Sequence, residues 1–133
     1  VGVNATALAV RGGGMALRLL WIINIALGIY IAYIATNPGG WTLAHMATGI
    51  LIVALLWFLG VAQGLTKTGS LGLTIATFLV GLALPIVGMS QLAVPNGGGQ
   101  YAVQGLHVVL AIAAIALGEI SVSRYRKGVA LAK

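Results

Sequence analysis

The sequence predicts an all-α integral membrane protein, an up-down-up-down four-helix bundle with both termini cytoplasmic. Three observations carry that reading. First, 60% of the 133 residues are hydrophobic and only 6% are charged, with a mean hydropathy of +1.09. A soluble domain carries about a quarter charged residues, so this composition cannot cover a water-facing surface. Second, four segments, roughly 15–36, 41–62, 71–92 and 101–123, approach the ~20 apolar residues needed to cross a bilayer. Third, the seven Lys and Arg residues, set against the single acid Glu119, gather at one end of the pattern. Their placement points to membrane orientation rather than to nucleic acid.

The elements follow in order. Residues 1–14 end in "RGGG" and predict a loose cytoplasmic lead. After Arg18 the run "LLWIINIALGIYIAYIA" is longer than a typical signal-peptide core, which predicts a retained span. The loop "TNPGG" carries no charge, and the second span opens at Trp41. Lys67 lies between the second and third spans. The third contains Pro85, which predicts a kink, with Gly81 and Gly88 close by. The loop "QLAVPNGGG" is also uncharged. The fourth span begins at Tyr101 and is followed by Arg124, Arg126, Lys127 and Lys133. Arg11, Arg18, Lys67 and the C-terminal cations therefore share one side, which the positive-inside rule assigns to the cytoplasm, in a multi-pass arrangement best suited to a prokaryotic plasma membrane. Trp41 and Tyr101 fit the outer aromatic belt, Tyr125 the inner one. Short connections predict antiparallel neighbours in a single domain, 1–133, with no linker. The absence of cysteine excludes disulfides, thiolate metal sites and thioether-linked haem.

A weak repeat is visible. Each outer loop is rich in Pro, Asn and Gly, and each is followed by an aromatic residue and then a histidine: Trp41 to His45, Tyr101 to His107. Two helix–loop–helix units related by a twofold along the membrane normal would produce this pattern. The glycines, 20 in all, suit close helix approach.

The two histidines are the chain's only ones. His45 lies four residues below Trp41, roughly 6 Å, and His107 six below Tyr101, roughly 9 Å. Both sit in the outer half at matched depth, on helices that are diagonal in a bundle of ring order 1-2-3-4. Facing helices of this kind supply two axial nitrogens to a haem iron. Gly49 lies one turn below His45, Ala111 one turn below His107, and Gly105 is close by; small residues leave room for a porphyrin edge. Gln104, one turn above His107, can bond a propionate, orient an imidazole or face headgroups. The competing reading is two histidines that each hydrogen-bond a neighbouring helix. Zinc or copper is disfavoured, because neither Cys nor a nearby carboxylate completes a coordination shell. Met46 and Met89 read as core methionines rather than soft ligands.

This arrangement resembles one four-helix half of the haem A synthase family, whose halves carry a histidine on their second and fourth helices at a spacing similar to the 62 residues between His45 and His107. The stretch "VQGLHVVLAIAAIALG" resembles that family's fourth helix, and compact half-size archaeal members are similar in plan. The family pattern has a glutamate three positions before its first histidine and an arginine after it; Thr42 and Met46 stand there in this chain. The resemblance therefore implies haem holding, for electron transfer or as a haem-binding subunit of a respiratory complex, ahead of haem modification. A homodimer would rebuild the eight-helix plan, and a place in a larger respiratory membrane complex fits equally. A quinone or external carrier could exchange electrons at the outer face. A haem-free structural subunit or small transporter is the remaining class.

Arg18 and Glu119 are at matched depth near the cytoplasmic side and predict an ion pair, with a proton path through Glu119 as the rival reading. Asn24 reads as helix glue. Trp57 and Phe58 read as core or lipid contacts, with a second cofactor or quinone as the alternative. No phosphate loop, nucleophile triad or metal-hydrolase motif occurs, which sets aside ordinary hydrolases and kinases.

Overall fold

A computed structural model describes residues 5–94 and 97–131. Four helices account for most of them: α1 (Ala5–Tyr33), α2 (Gly39–Gly64), α3 (Leu71–Ser90) and α4 (Gly98–Ala130). Among the described residues there is no strand. Each helix is long and apolar enough to cross a membrane, so the chain is a multi-pass membrane bundle. Lys133 and the loop residues Pro95 and Asn96 lie outside the described residues.

Two helix ends differ from the sequence expectation. Residues 5–14, expected as a loose lead, belong to α1. Glycine lowers helix propensity by about 1 kcal/mol per residue, and "RGGG" therefore reads as a breaker. Here Gly13 and Gly14 are buried: a Cβ on Gly13 would lie 3.5 Å from Phe58, and one on Gly14 3.0 Å from Val122. Close packing against α2 and α4 offsets the propensity. At the other terminus α4 continues past 123 to Ala130. Tyr125 and Gly128 are buried there, and Arg124 and Thr68 exchange side-chain-to-backbone hydrogen bonds of 3.3 Å. At 1.5 Å per residue the 33 residues of α4 span about 50 Å, against ~30 Å of hydrocarbon, so the helix projects beyond it. Pro85 lies inside α3, which stays helical to Ser90.

The α2–α3 connection is fixed by polar side chains. Gln63 is fully buried; its Nε2 has the carbonyls of Gly60 and Ser70 and Thr74 Oγ1 within hydrogen-bond reach for its two protons, while its Oε1 accepts from Ser70 N–H. Ser70 caps α3 by accepting from Leu73 N–H.

Burial is segregated along the bundle axis. Among the described residues every buried one lies in 10–17, 52–63, 77–84 or 114–128, and none lies in 18–51 or 85–113. One cluster joins Val10, Leu17, Ile52, Leu59, Val122 and Tyr125, and a second joins Val53, Leu56, Leu84 and Ala114. The end that carries the termini and the α2–α3 loop is close-packed. The opposite end, with Tyr30 edge-on to Trp41 at 5.1 Å, contains both histidines.

Candidate functional site

His45 and His107 face each other across the bundle. Their ring centroids are 6.2 Å apart and their planes cross at 53°. A ring nitrogen lies about 1 Å from its centroid and binds a metal at about 2 Å, so imidazoles on opposite sides of one metal have centroids about 6 Å apart. The two rings are close enough for both to reach one metal ion.

Each imidazole rests on a glycine of the preceding helix. A Cβ on Gly28 would lie 3.2 Å from His45 Cε1, and a Cβ on Gly88 3.0 Å from His107 Cε1. The Nδ1 atom of His45 bonds the Asn24 carbonyl at 3.0 Å, one turn before Gly28. A carbonyl only accepts, so Nδ1 carries the proton and Nε2 keeps its lone pair. The carbonyl of Leu84, one turn before Gly88, is the corresponding backbone acceptor beside His107. Its approach is looser, and no hydrogen bond of ordinary geometry reaches the buried Nδ1 of His107.

These contacts belong to a wider repeat. Positions of α1 map onto α3 with a shift of 60 residues, and positions of α2 onto α4 with a shift of 62. The shifts take Asn24, Gly28 and His45 to Leu84, Gly88 and His107. They also take the contact of Gly14 with Val122 to the hydrogen bond from Thr74 Oγ1 to the Gly60 carbonyl, 2.9 Å. Finally, they take the Arg18–Glu119 ion pair to the stack of Phe78 on Trp57, with centroids 5.1 Å apart. Under these shifts the two imidazoles are each other's equivalents.

Other residues singled out in the sequence fall as follows. Gly49 lies against the Asn24 carboxamide, and the Ala111 carbonyl accepts from Trp21 Nε1 at 3.1 Å; both therefore meet α1 directly below the imidazoles. Gln104 is half-buried. Arg18 and Glu119 form a bidentate pair, with Nε–Oε1 and Nη2–Oε2 both at 2.6 Å. Their side chains are 57% and 40% exposed, so the pair lies on the outer surface of the α1–α4 seam. Met46 and Met89 are exposed rather than core residues, because their helix faces point away from the bundle. Trp57 lies against Gly81, whose carbonyl loses its helical donor to Pro85; its Nε1 is nevertheless buried without a partner.

The residue that sequence reasoning missed is Thr48. Its hydroxyl is 2.5 Å from Asn24 Oδ1, 2.9 Å from the Ala44 carbonyl and 3.0 Å from the His45 carbonyl. One available signal was its place one turn after His45. Gly28 and Gly88 were legible as close-approach residues but not as seats for the imidazoles.

Compared with protein-family models, curated proteins and solved structures, the chain matches none.

Proposed function

We propose that this chain is a membrane b-type cytochrome that holds a haem between His45 and His107 for electron transfer, alone or as a subunit of a respiratory complex. The observation that carries the reading is the facing imidazole pair, with centroids 6.2 Å apart, on helices related by the internal repeat. The donor set fits: two neutral nitrogens with neither thiolate nor carboxylate nearby suit axial ligation of a planar iron macrocycle better than a four-ligand zinc shell. Gly28 and Gly88 seat the two rings, and no described residue of the histidine half is fully buried. Haem supplies one-electron chemistry when bound, and two axial histidines favour transfer over oxygen activation. The protein's own part is to fix the imidazoles and to keep Nε2 of His45 unprotonated through the Nδ1–H bond to Asn24.

In the same reading the helices alternate up and down and both termini are cytoplasmic, because the cations cluster at the packed end. The histidines then lie near the outer face, within reach of a quinol or an external carrier. Haem modification of the haem A synthase kind is less favoured. Thr42 gives its hydroxyl to the Pro38 carbonyl and Met46 points outward, so neither residue sets a carboxylate or guanidinium beside His45.

The test is the visible absorption spectrum of the purified protein. A Soret band with low-spin features that changes in His45→Ala and in His107→Ala is the expected result. Absence of the band after haem supply, or a band indifferent to both substitutions, would sink the proposal. Extraction of the pigment then separates holding from modification: unaltered haem b supports the cytochrome.

A further inference from the structure

We infer that the two histidines are unequal ligands: His45 is the anchored one, and His107 is the one a small neutral molecule such as carbon monoxide displaces. The inference rests on the haem reading above and adds a ligand-exchange site to it, on the His107 side.

The repeat makes the comparison internal. The rings occupy equivalent places, each on a glycine and each near a carbonyl one turn earlier, but their polar support differs. His45 donates from Nδ1 to Asn24, and the Asn24 side chain is tied to Thr48. The Thr48 hydroxyl has one proton and three candidate acceptors. It either donates to the carboxamide oxygen, or donates along its own helix and accepts from the amide after a flip of Asn24. Both assignments bond Thr48 to Asn24. Around His107 the equivalent positions are Leu84 and Leu110, both apolar, Leu84 within the second core cluster and Leu110 packed against it. No side chain there can reproduce the Asn–Thr bond, and the Leu84 carbonyl beside His107 makes no hydrogen bond of ordinary geometry to its buried Nδ1.

The chemical consequence follows from the role of such partners. A hydrogen bond to the far nitrogen fixes the tautomer, orients the ring and raises ligand basicity, and losing it costs about 10–100-fold in metal affinity. His107 has the weaker support of this kind, so with haem bound it would be the less firmly held ligand, and a small neutral molecule would take its place while His45 stays attached.

The experiment uses the full chain purified in detergent and supplied with haem. Wild type must first show the six-coordinate low-spin spectrum; failure there overturns the haem reading itself. With that spectrum present, His107→Gly is expected to retain haem in a five-coordinate form that binds carbon monoxide readily when reduced. His45→Gly is expected to lose most of its haem and to recover it with imidazole in the buffer. Equal retention in the two variants, or the reverse order, overturns the inequality. Thr48→Val should lower haem affinity by less than the ~10-fold expected for a direct partner of the ring, and Thr48→Ser should restore it. A readout independent of haem is nitrogen NMR of the histidine rings in haem-free wild-type protein. A slowly exchanging Nδ1 proton on His45 and none on His107 is the expected result, and matching signals from both rings would refute the proposal.

Discussion

The two ends of this bundle are built to different standards. At the end that carries the termini, Leu17, Leu56 and Leu59 are fully enclosed, and Gly60 and Gly81 let α2 and α3 come into contact through Thr77 and Trp57. At the histidine end no described residue is buried, although the same four helices continue through it. In a membrane the hydrophobic effect does not press helices together, so association rests on close van der Waals packing and hydrogen bonds. The packed end supplies both, including the Gln63 network and the Arg18–Glu119 pair. The histidine end supplies mainly polar fixtures: one Asn–Thr–His network and two rings on glycines. Stability and the candidate site thus occupy separate lengths of the same helices.

The sharpest way to break this contrast is to add one methyl group at each end. At Gly60 a Cβ would lie 2.9 Å from Thr77 Cβ, a β-branched neighbour that cannot swing away. Gly60→Ala should therefore destabilise the bundle by about 1–3 kcal/mol, the usual cost of overpacking. Thr77→Ala in the same chain should recover only part of the loss, because its Cβ stays 2.9 Å from the new methyl. Thermal unfolding in detergent followed by circular dichroism measures both. At the histidine end the added methyls of Gly28→Ala and Gly88→Ala meet only imidazole edges, at 3.2 and 3.0 Å. Each should leave the unfolding midpoint close to wild type while it shifts a ring by a few tenths of an ångström and perturbs the Soret band. If Gly88→Ala unfolds the protein as readily as Gly60→Ala, the division of labour is wrong.

The spans were legible because apolar runs of about 20 residues have few alternatives to a membrane helix. The extensions of α1 and α4 were not. Hydropathy reports the slab a helix crosses, and Gly12 to Gly14 look like a breaker until Phe58 is seen against Gly13 and Val122 against Gly14. Register counting brought Arg18 level with Glu119, and they are bonded. It also set His45 level with His107 across the bundle, where the rings lie 6.2 Å apart. The support around the rings was hidden for a different reason. Asn24 acts on His45 through its backbone carbonyl, which every residue type possesses, and Thr48 acts through Asn24. No pattern of residue types announces a bond made by a main-chain oxygen.

Gly105 provides the mildest test of the contrast. It was read as a small neighbour that makes room beside His107, but it is exposed and a Cβ there would meet nothing within 4 Å. Glycine within a helix costs roughly 0.5–1 kcal/mol relative to alanine. Gly105→Ala should therefore raise stability by about that amount, since no contact opposes the gain in propensity, and haem loading should not change. A gain in the unfolding midpoint with unchanged loading would place Gly105 on the lipid-facing side of α4, with Gly28 and Gly88 as the glycines that matter to the rings. Reduced loading would instead make Gly105 part of the space that the macrocycle edge occupies, and the site would then extend across α4 beyond the face that His107 presents.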